Sequence, residues 1–443
     1  MKKDAASVNS KKITLLREAV DQCLPMASRI FDELRERTTD GEGITRASYG
    51  NGEQIGHEVM RAAADEIGLE VATDLAGNLY ATLPGEDRSA PRWISGSHLD
   101  SVPHGGNFDG AAGAIAALAA IAALKDLGSR PQQDLVAMAI RAEESSSWFS
   151  GRHNSHFGSR AALGLLEGAE LESAVHLATG QTLAESINAA GFDSQSIRQG
   201  IRSLSPQNVR GFIELHIEQG PVLVAAEKSV GIVTGIRGTI RARNARCVGA
   251  YSHSGAVPQD MRQDAVLATA ELINRIEGYC SELRTLGKDV VFAVGRLHTD
   301  AAVDSLSKVP GLASFTIDVR SQDGSLLAAV NSRIGELAGI IGARRNVSFD
   351  LSDRAVVDPT TMDFSFRETL KEMATILDLD APDLPCGAGH DAAEFVRAGI
   401  PSCMLFVRNT GESHNPDETM TLMDFRDGIL VLTCFLYMKS FSY

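Results

Sequence analysis

The stretch 92–140 constrains the fold most. The stretch 92–96 reads as a short buried strand. An alanine-rich helix opens after Asp109-Gly110 and runs to about Leu127, and 135–140 is a second β-like run. Strand, helix and strand in that order imply parallel strands covered by helices. Other candidates extend the same layer: helices at 12–38 and 52–68, an extended stretch at 69–83 turning at Gly77 and Asn78, and strands at 211–215, 231–236 and 403–407. Residues 160–210 read as helical and loopy, and helices are expected at 363–378, 391–398 and 422–439. The expected class is α/β, a mainly parallel sheet with flanking helices.

The texture changes near residue 237. Strands at 239–248 and 289–294 bracket a long helix at 264–286, and 313–319 alternates apolar and polar residues with period two. That alternation marks a half-exposed antiparallel strand. A helix at 325–340 and a strand at 346–351 complete a β-α-β-β-α-β order, that of a small α+β, ferredoxin-like module. A chain of 443 residues exceeds what one core usually organises. The expected organisation is a catalytic domain in two parts, 1–236 and 354–443, interrupted by an inserted domain at 237–353.

Charge and cysteines narrow the function. A formal net charge of -15 argues against nucleic acid or an anionic membrane as partner, because both call for clustered Lys and Arg. The N-terminus holds no apolar run of signal-peptide length, and the run 111–124 is too short to span a membrane, so no spanning segment is expected. Six cysteines without a CxxC pair favour reduced thiols in a reducing compartment. The expectation is a cytoplasmic enzyme.

The chemistry lies in where His, Asp and Glu fall. His98, Asp109, Glu143, Glu144, His216 and His414 each sit at or just past the carboxyl end of an expected strand or at the mouth of the Ala-rich helix. In an open α/β sheet those ends converge on one crevice. Three His with two or three carboxylates there make a transition-metal site, and an Asp is able to bridge two ions. Asp100, two residues past His98, is placed to orient that imidazole. Of two adjacent glutamates, one suits metal binding and the other the proton of an attacking water.

The motifs GSHLDSVPHGGNFDG, the Glu143-Glu144 pair, ELHIEQGP, YSHSGAVPQDMRQDA, VPGLASFTIDVR, GAGHDAAEF and ESHNPDE follow one another along the chain. In that order the chain resembles the hydantoinase/carbamoylase group of amidohydrolases within the M20 metallopeptidase clan. The resemblance implies two divalent metal ions per subunit (Zn, Mn, Co or Ni). His98 and His216 would hold one and Glu144 and His414 the other, with Asp109 between them. It implies Glu143 as base and His253 as a group that reaches the partner subunit's site and polarises the scissile carbonyl. Arg320 would pair with the substrate carboxylate, and Gln219 and His390 would complete the pocket. The inserted domain would be a lid through which a homodimer forms.

Three places depart from the family pattern. Ser145, Ser146, Ser147, Trp148 and Phe149 follow the Glu pair where Gly-Ser-Arg-Phe is usual; Ser307 stands for an Asn that helps hold the carboxylate; and Cys386 stands for a Ser. These touch the expected specificity surface and leave the metal ligands and base intact. The resemblance implies hydrolysis of N-carbamoyl-L-amino acids, or of allantoate-type ureides or N-acyl amino acids. A dipeptidase and a non-catalytic metal-binding dimer are the other classes. His216 argues against the first, since the peptidase pattern has a carboxylate there, and Glu143 against the second. The GxGxxA run 387–392 follows no expected strand, which speaks against a dinucleotide site.

Overall fold

The computed structural model describes residues 10–151 and 153–441. The chain forms two compact units: 1–234 with 362–384 and 389–443, and 235–361 with 385–388.

In the first unit the strands lie in the order Glu70–Thr73, Leu79–Leu83, Leu135–Ile140, Arg92–His98, Val209–Ile217, Ser402–Val407, Val230–Ile236, with Asp383–Cys386 against the last. The four strands at the centre, from Leu135–Ile140 to Ser402–Val407, pair in parallel. The margins are antiparallel, so the sheet is parallel only at its centre. Glu70–Thr73 and Leu79–Leu83 are joined by a tight turn with Gly77 at φ +83°, too short for the crossover that parallel pairing requires. The Ala111–Asp126 helix is buried at every position from Ala111 to Leu124. Its small side chains let the Ser10–Thr38 and Leu422–Ser440 helices pack on it while it also contacts the sheet. Two strands run further than expected: His98 is the last residue of Arg92–His98, and His216 lies inside Val209–Ile217.

The second unit is an antiparallel sheet in the order Leu297–His298, Leu312–Ser321, Gly238–Val248, Ser348–Asp350, with Val291–Ala293 and Ala355–Val357 attached. Leu312–Ser321 alternates half-buried and buried residues, as its period-two pattern requires. The Ala265–Thr285 and Gly324–Arg345 helices pack on this sheet and on each other. The unit runs past residue 353 because Ala355–Val357 pairs with Gly238–Val248. The expectation that no segment reaches spanning length is corrected here. Gly324–Arg345 is long and apolar enough by length and composition. Its Leu327, Val330, Ile334, Leu337 and Ile341 instead fill the core of this unit, which accounts for their hydrophobicity.

Candidate metal centre

The centre lies where the parallel strands of the first unit end. Ser95 pairs with Ile213 in register, so three residues further on His98 and His216 come side by side. Asp109 arrives from the loop before the Ala-rich helix. Gly110, not Asp109, is the cap residue of that helix, with φ +66° and no side-chain cap bond. A Cβ at Gly110 would stand 2.3 Å from the His98 ring, so glycine is required for backbone angle and close approach alike.

His98 sets Nδ1 3.0 Å from the backbone oxygen of Asp100, and His216 sets Nδ1 2.9 Å from that of Ile217. A carbonyl only accepts, so each Nδ1 carries a proton and each neutral ring presents its Nε2 lone pair. The two Nε2 atoms are 3.4 Å apart, and Asp109 Oδ1 is 3.5 Å from the first and 3.3 Å from the second. That oxygen is buried with no hydrogen-bond partner. Two lone pairs and an orphaned carboxylate oxygen facing one another in a dry site call for a cation. Without one, protons take its place: burial disfavours charge on His98, but Glu143, Asp100 and Asp109 outweigh it and push its pKa well above the ordinary value. His216 is raised too, Asp109 outweighing burial.

The other oxygen of Asp109 faces a second group. His414 Nε2 is 3.5 Å from Asp109 Oδ2 and 2.8 Å from Glu144 Oε1. The Glu144 hydrogen bond raises the His414 pKa to about 9. Ser413 and Gln219 also donate to Asp109 Oδ2, Gln219 at 2.9 Å. The donor sets His98–Asp109–His216 and Asp109–Glu144–His414 therefore share one carboxylate and each fits a divalent metal ion. A third cluster, Glu214–His216–His390, fits less well, because Glu214 already accepts from Ser97 Oγ and the Ala392 N–H. His390 is buried with both ring nitrogens unpartnered, its centroid 4.4 Å from that of His216. Burial, then the His216 charge, holds its pKa well below the ordinary value.

Glu143 and Glu144 follow the Leu135–Ile140 strand at a short remove, Glu144 opening a 3₁₀ turn. Glu143 Oε2 lies 3.9 Å from His98 Nε2 and Oε1 lies 3.1 Å from His156 Nε2. Burial favours a neutral Glu143, but His98 and His156 outweigh it and bring its pKa down to about 2. His156 was not legible in the sequence, since no strand pattern precedes it. Glu418 closes the ESHNPDE motif. Its Oε1 accepts the N–H groups of Phe108 and Asp109 and so fixes the Asp109 backbone. The GxGxxA run does follow a short strand, Asp383–Cys386, and opens the Asp391–Arg397 helix. That run thus has the strand the sequence did not show, and what opposes a dinucleotide there is that His390 and Asp391 are buried beside the cluster.

The second unit holds the remaining expected residues. Ser252–His253 pairs with Lys308–Val309, and the Ser254 N–H donates to the Ser307 carbonyl at 2.9 Å, so His253 and Ser307 are neighbours. The exposed His253 ring accepts at Nδ1 from the N–H groups of Gly255 and Ala256, at 3.0 and 3.2 Å. Arg320 sets its fork on Asp318, Nε to Oδ1 3.1 Å and Nη2 to Oδ2 2.7 Å, and its Nη1 donates to the Gly387 carbonyl. Asp318 therefore already occupies the guanidinium fork. Arg241 Nε, 3.7 Å from the same Asp318, is a nearby cation that the sequence reading missed.

A buried His and carboxylate cluster at the carboxyl ends of parallel strands defines a class, the metal-dependent hydrolases built on an α/β sheet. Residues 94–438 match the description "Peptidase family M20/M25/M40". The chain belongs to this family of metal-dependent hydrolases. It is 32% identical over 410 residues to an N-carbamoyl-L-amino-acid amidohydrolase of Paenarthrobacter aurescens, covering 92% of this chain and 96% of that one. It is 29% identical over 427 residues to an allantoate amidohydrolase of Escherichia coli (strain K12), covering 96% and 98%. Among solved structures, an amidase of the hydantoinase/carbamoylase family from Burkholderia multivorans superposes with a TM-score of 0.81 at 25% identity, covering 95% of this chain and 97% of that one.

Proposed function

We propose that this chain is a dinuclear amidohydrolase that cleaves a ureido or linear amide bond of a small carboxylate-bearing substrate, N-carbamoyl-L-amino acids being the first candidate. The observation that carries the reading is the division of Asp109, whose Oδ1 faces His98 and His216 while Oδ2 faces His414 and Glu144. In this reading His98 and His216 would hold one ion and Glu144 and His414 the other, with Asp109 serving both. When bound, the two divalent cations supply Lewis acidity to the attacking water and the scissile carbonyl.

Glu143 is the base. Its Oε2 faces the cluster, takes the proton of the attacking water and returns it to the leaving nitrogen. His253 acts from the inserted domain, which serves as a lid and dimer interface. With Nδ1 accepting two backbone N–H groups, its Nε2–H is left to donate to the carbonyl oxygen as charge develops there. Arg320 and Ser307 receive the substrate carboxylate, and Gln219 and His390 line the rest of the pocket. Asp100 supports His98 from behind. The working form is a homodimer in the cytoplasm, consistent with six buried cysteines that form no disulfide.

A second reading, an allantoate-type ureide as substrate, draws on the allantoate relative and on the departures at Ser145–Phe149, Ser307 and Cys386. A screen of Mn- or Zn-loaded protein against N-carbamoyl and N-acyl L-amino acids, allantoate and dipeptides tests both. Turnover of a carbamoyl or acyl amino acid or of a ureide is expected, with weak activity on at least one of these standards. Hydrolysis of dipeptides alone would overturn the reading.

A further inference from the structure

His156 sits between two acids. Its Nε2 is 3.1 Å from Glu143 Oε1 and its Nδ1 is 3.2 Å from Glu394 Oε1. Both carboxylates are buried, and His156 itself is 13% exposed at the side chain. Beyond Glu394 the line reaches solvent at Arg397, whose exposed guanidinium lies 3.0 Å from Glu394 Oε2. An ionised carboxylate only accepts, so a ring facing one on each nitrogen holds both protons.

We propose that His156, oriented by Glu394, is a positioning residue for Glu143: it grips Oε1 from behind and leaves Oε2 turned to the metal cluster. The proposal rests on the reading of Glu143 as base. Three further features of the chain support it. First, His156 takes φ +57°, a left-handed backbone uncommon for a non-glycine residue. Second, the N–H groups of His156, Phe157 and Gly158 donate to the carbonyls of Glu143, Ala142 and Arg141. Ring and carboxylate thus sit on two segments laced together and cannot drift apart independently. Third, a Cβ at Gly389 would stand 3.1 Å from the ring Cε1 and 3.2 Å from Nε2, so the absence of a side chain there makes room for the imidazole. Burial opposes charge on the ring, but Glu143 and Glu394 outweigh it and raise its pKa well above the ordinary value. A ring held on one side only would let the Glu143 carboxylate swing with it; with Glu394 on its other nitrogen the ring is fixed, and it fixes which Glu143 oxygen meets the water, since misplacement of a catalytic group is costly.

The test uses the metal-loaded enzyme and the best substrate of the screen. His156→Ala should lower kcat about 100-fold, with KM changed less than about twofold and metal content intact. Imidazole in the buffer should restore part of the rate. The double variant Glu143→Gln/His156→Ala should be no slower than Glu143→Gln alone, because His156 acts only through Glu143. His156→Gln, which keeps one donor and much of the volume, covers the case in which the alanine variant does not fold, and should fall between wild type and alanine. Histidine-selective ¹⁵N spectra of the metal-free protein supply a readout apart from activity: two protonated ring nitrogens at His156, lost in Glu394→Gln. A silent His156→Ala beside a dead Glu143→Gln would overturn the proposal, as would additive losses in the double variant or a singly protonated ring. Full activity in Glu143→Gln would instead overturn the reading of the base.

Discussion

The carboxylate of Asp100 accepts the backbone N–H of Glu143 at 3.1 Å, and its second oxygen accepts that of Glu144 at 3.0 Å. Ser48 Oγ donates to it at 2.5 Å, and His98 Nδ1 stands 3.3 Å from its Oδ1. Asp100 therefore does more than orient one imidazole. It ties the end of the Arg92–His98 strand to the turn bearing the proposed base and a proposed ligand. Asp100→Asn puts an NH₂ against one of those N–H groups. Metal affinity should fall about 10- to 100-fold, with the circular dichroism spectrum unchanged. Unaltered affinity in a calorimetric titration would refute this role.

The two adjacent glutamates should separate in function. Glu143→Gln removes the oxygen that faces the cluster as base, so turnover should drop about 100-fold or more while both ions stay bound. Glu144→Gln weakens the partner of His414 and should cost one ion instead. Metal content by mass spectrometry beside kcat decides it. Two variants alike in both would show that the assignment is wrong.

Metal uptake should depend on pH with a definite sign. In the metal-free protein His414 is raised to about 9 by Glu144, and His98 and His216 are raised as well. At neutral pH the His414 ring holds a proton that a metal ion must displace, and the upward shifts at His98 and His216 act in the same direction. Affinity should rise with pH up to about 9 and fall below it, by about tenfold per pH unit for each proton displaced. Calorimetry in buffers of differing ionisation enthalpy should detect protons released on Mn or Zn addition. Binding that is flat in pH and releases no proton would contradict it.

If His253 serves the partner's site, two inactive dimers should rescue each other. His253→Ala and Glu143→Gln dimers are mixed and their subunits exchanged. Each hybrid then holds one site with both defects and one with neither, so activity should reappear, up to about half of wild type per hybrid. Removal of an oxyanion donor costs about 10²–10³ in rate, so the recovery is measurable above background. Exchange without recovery would place His253 in its own subunit's site or outside the chemistry.

The sequence by itself determined the centre of the sheet, because period and composition mark each buried strand and the Ala-rich helix without reference to anything distant. It also determined the family, and with it the candidates His98, Asp109, Glu143, Glu144, His216 and His414, since the order of motifs survives in one dimension. Tertiary structure alone decided what stands behind them. His156 meets Glu143 through a left-handed turn and a strand-end loop, Glu394 reaches the ring from a distant helix, and Glu418 pins the Asp109 backbone across 309 positions. No periodicity encodes such contacts. They arise when buried donors and acceptors, cut off from water, must find partners wherever the packing of the chain has brought them.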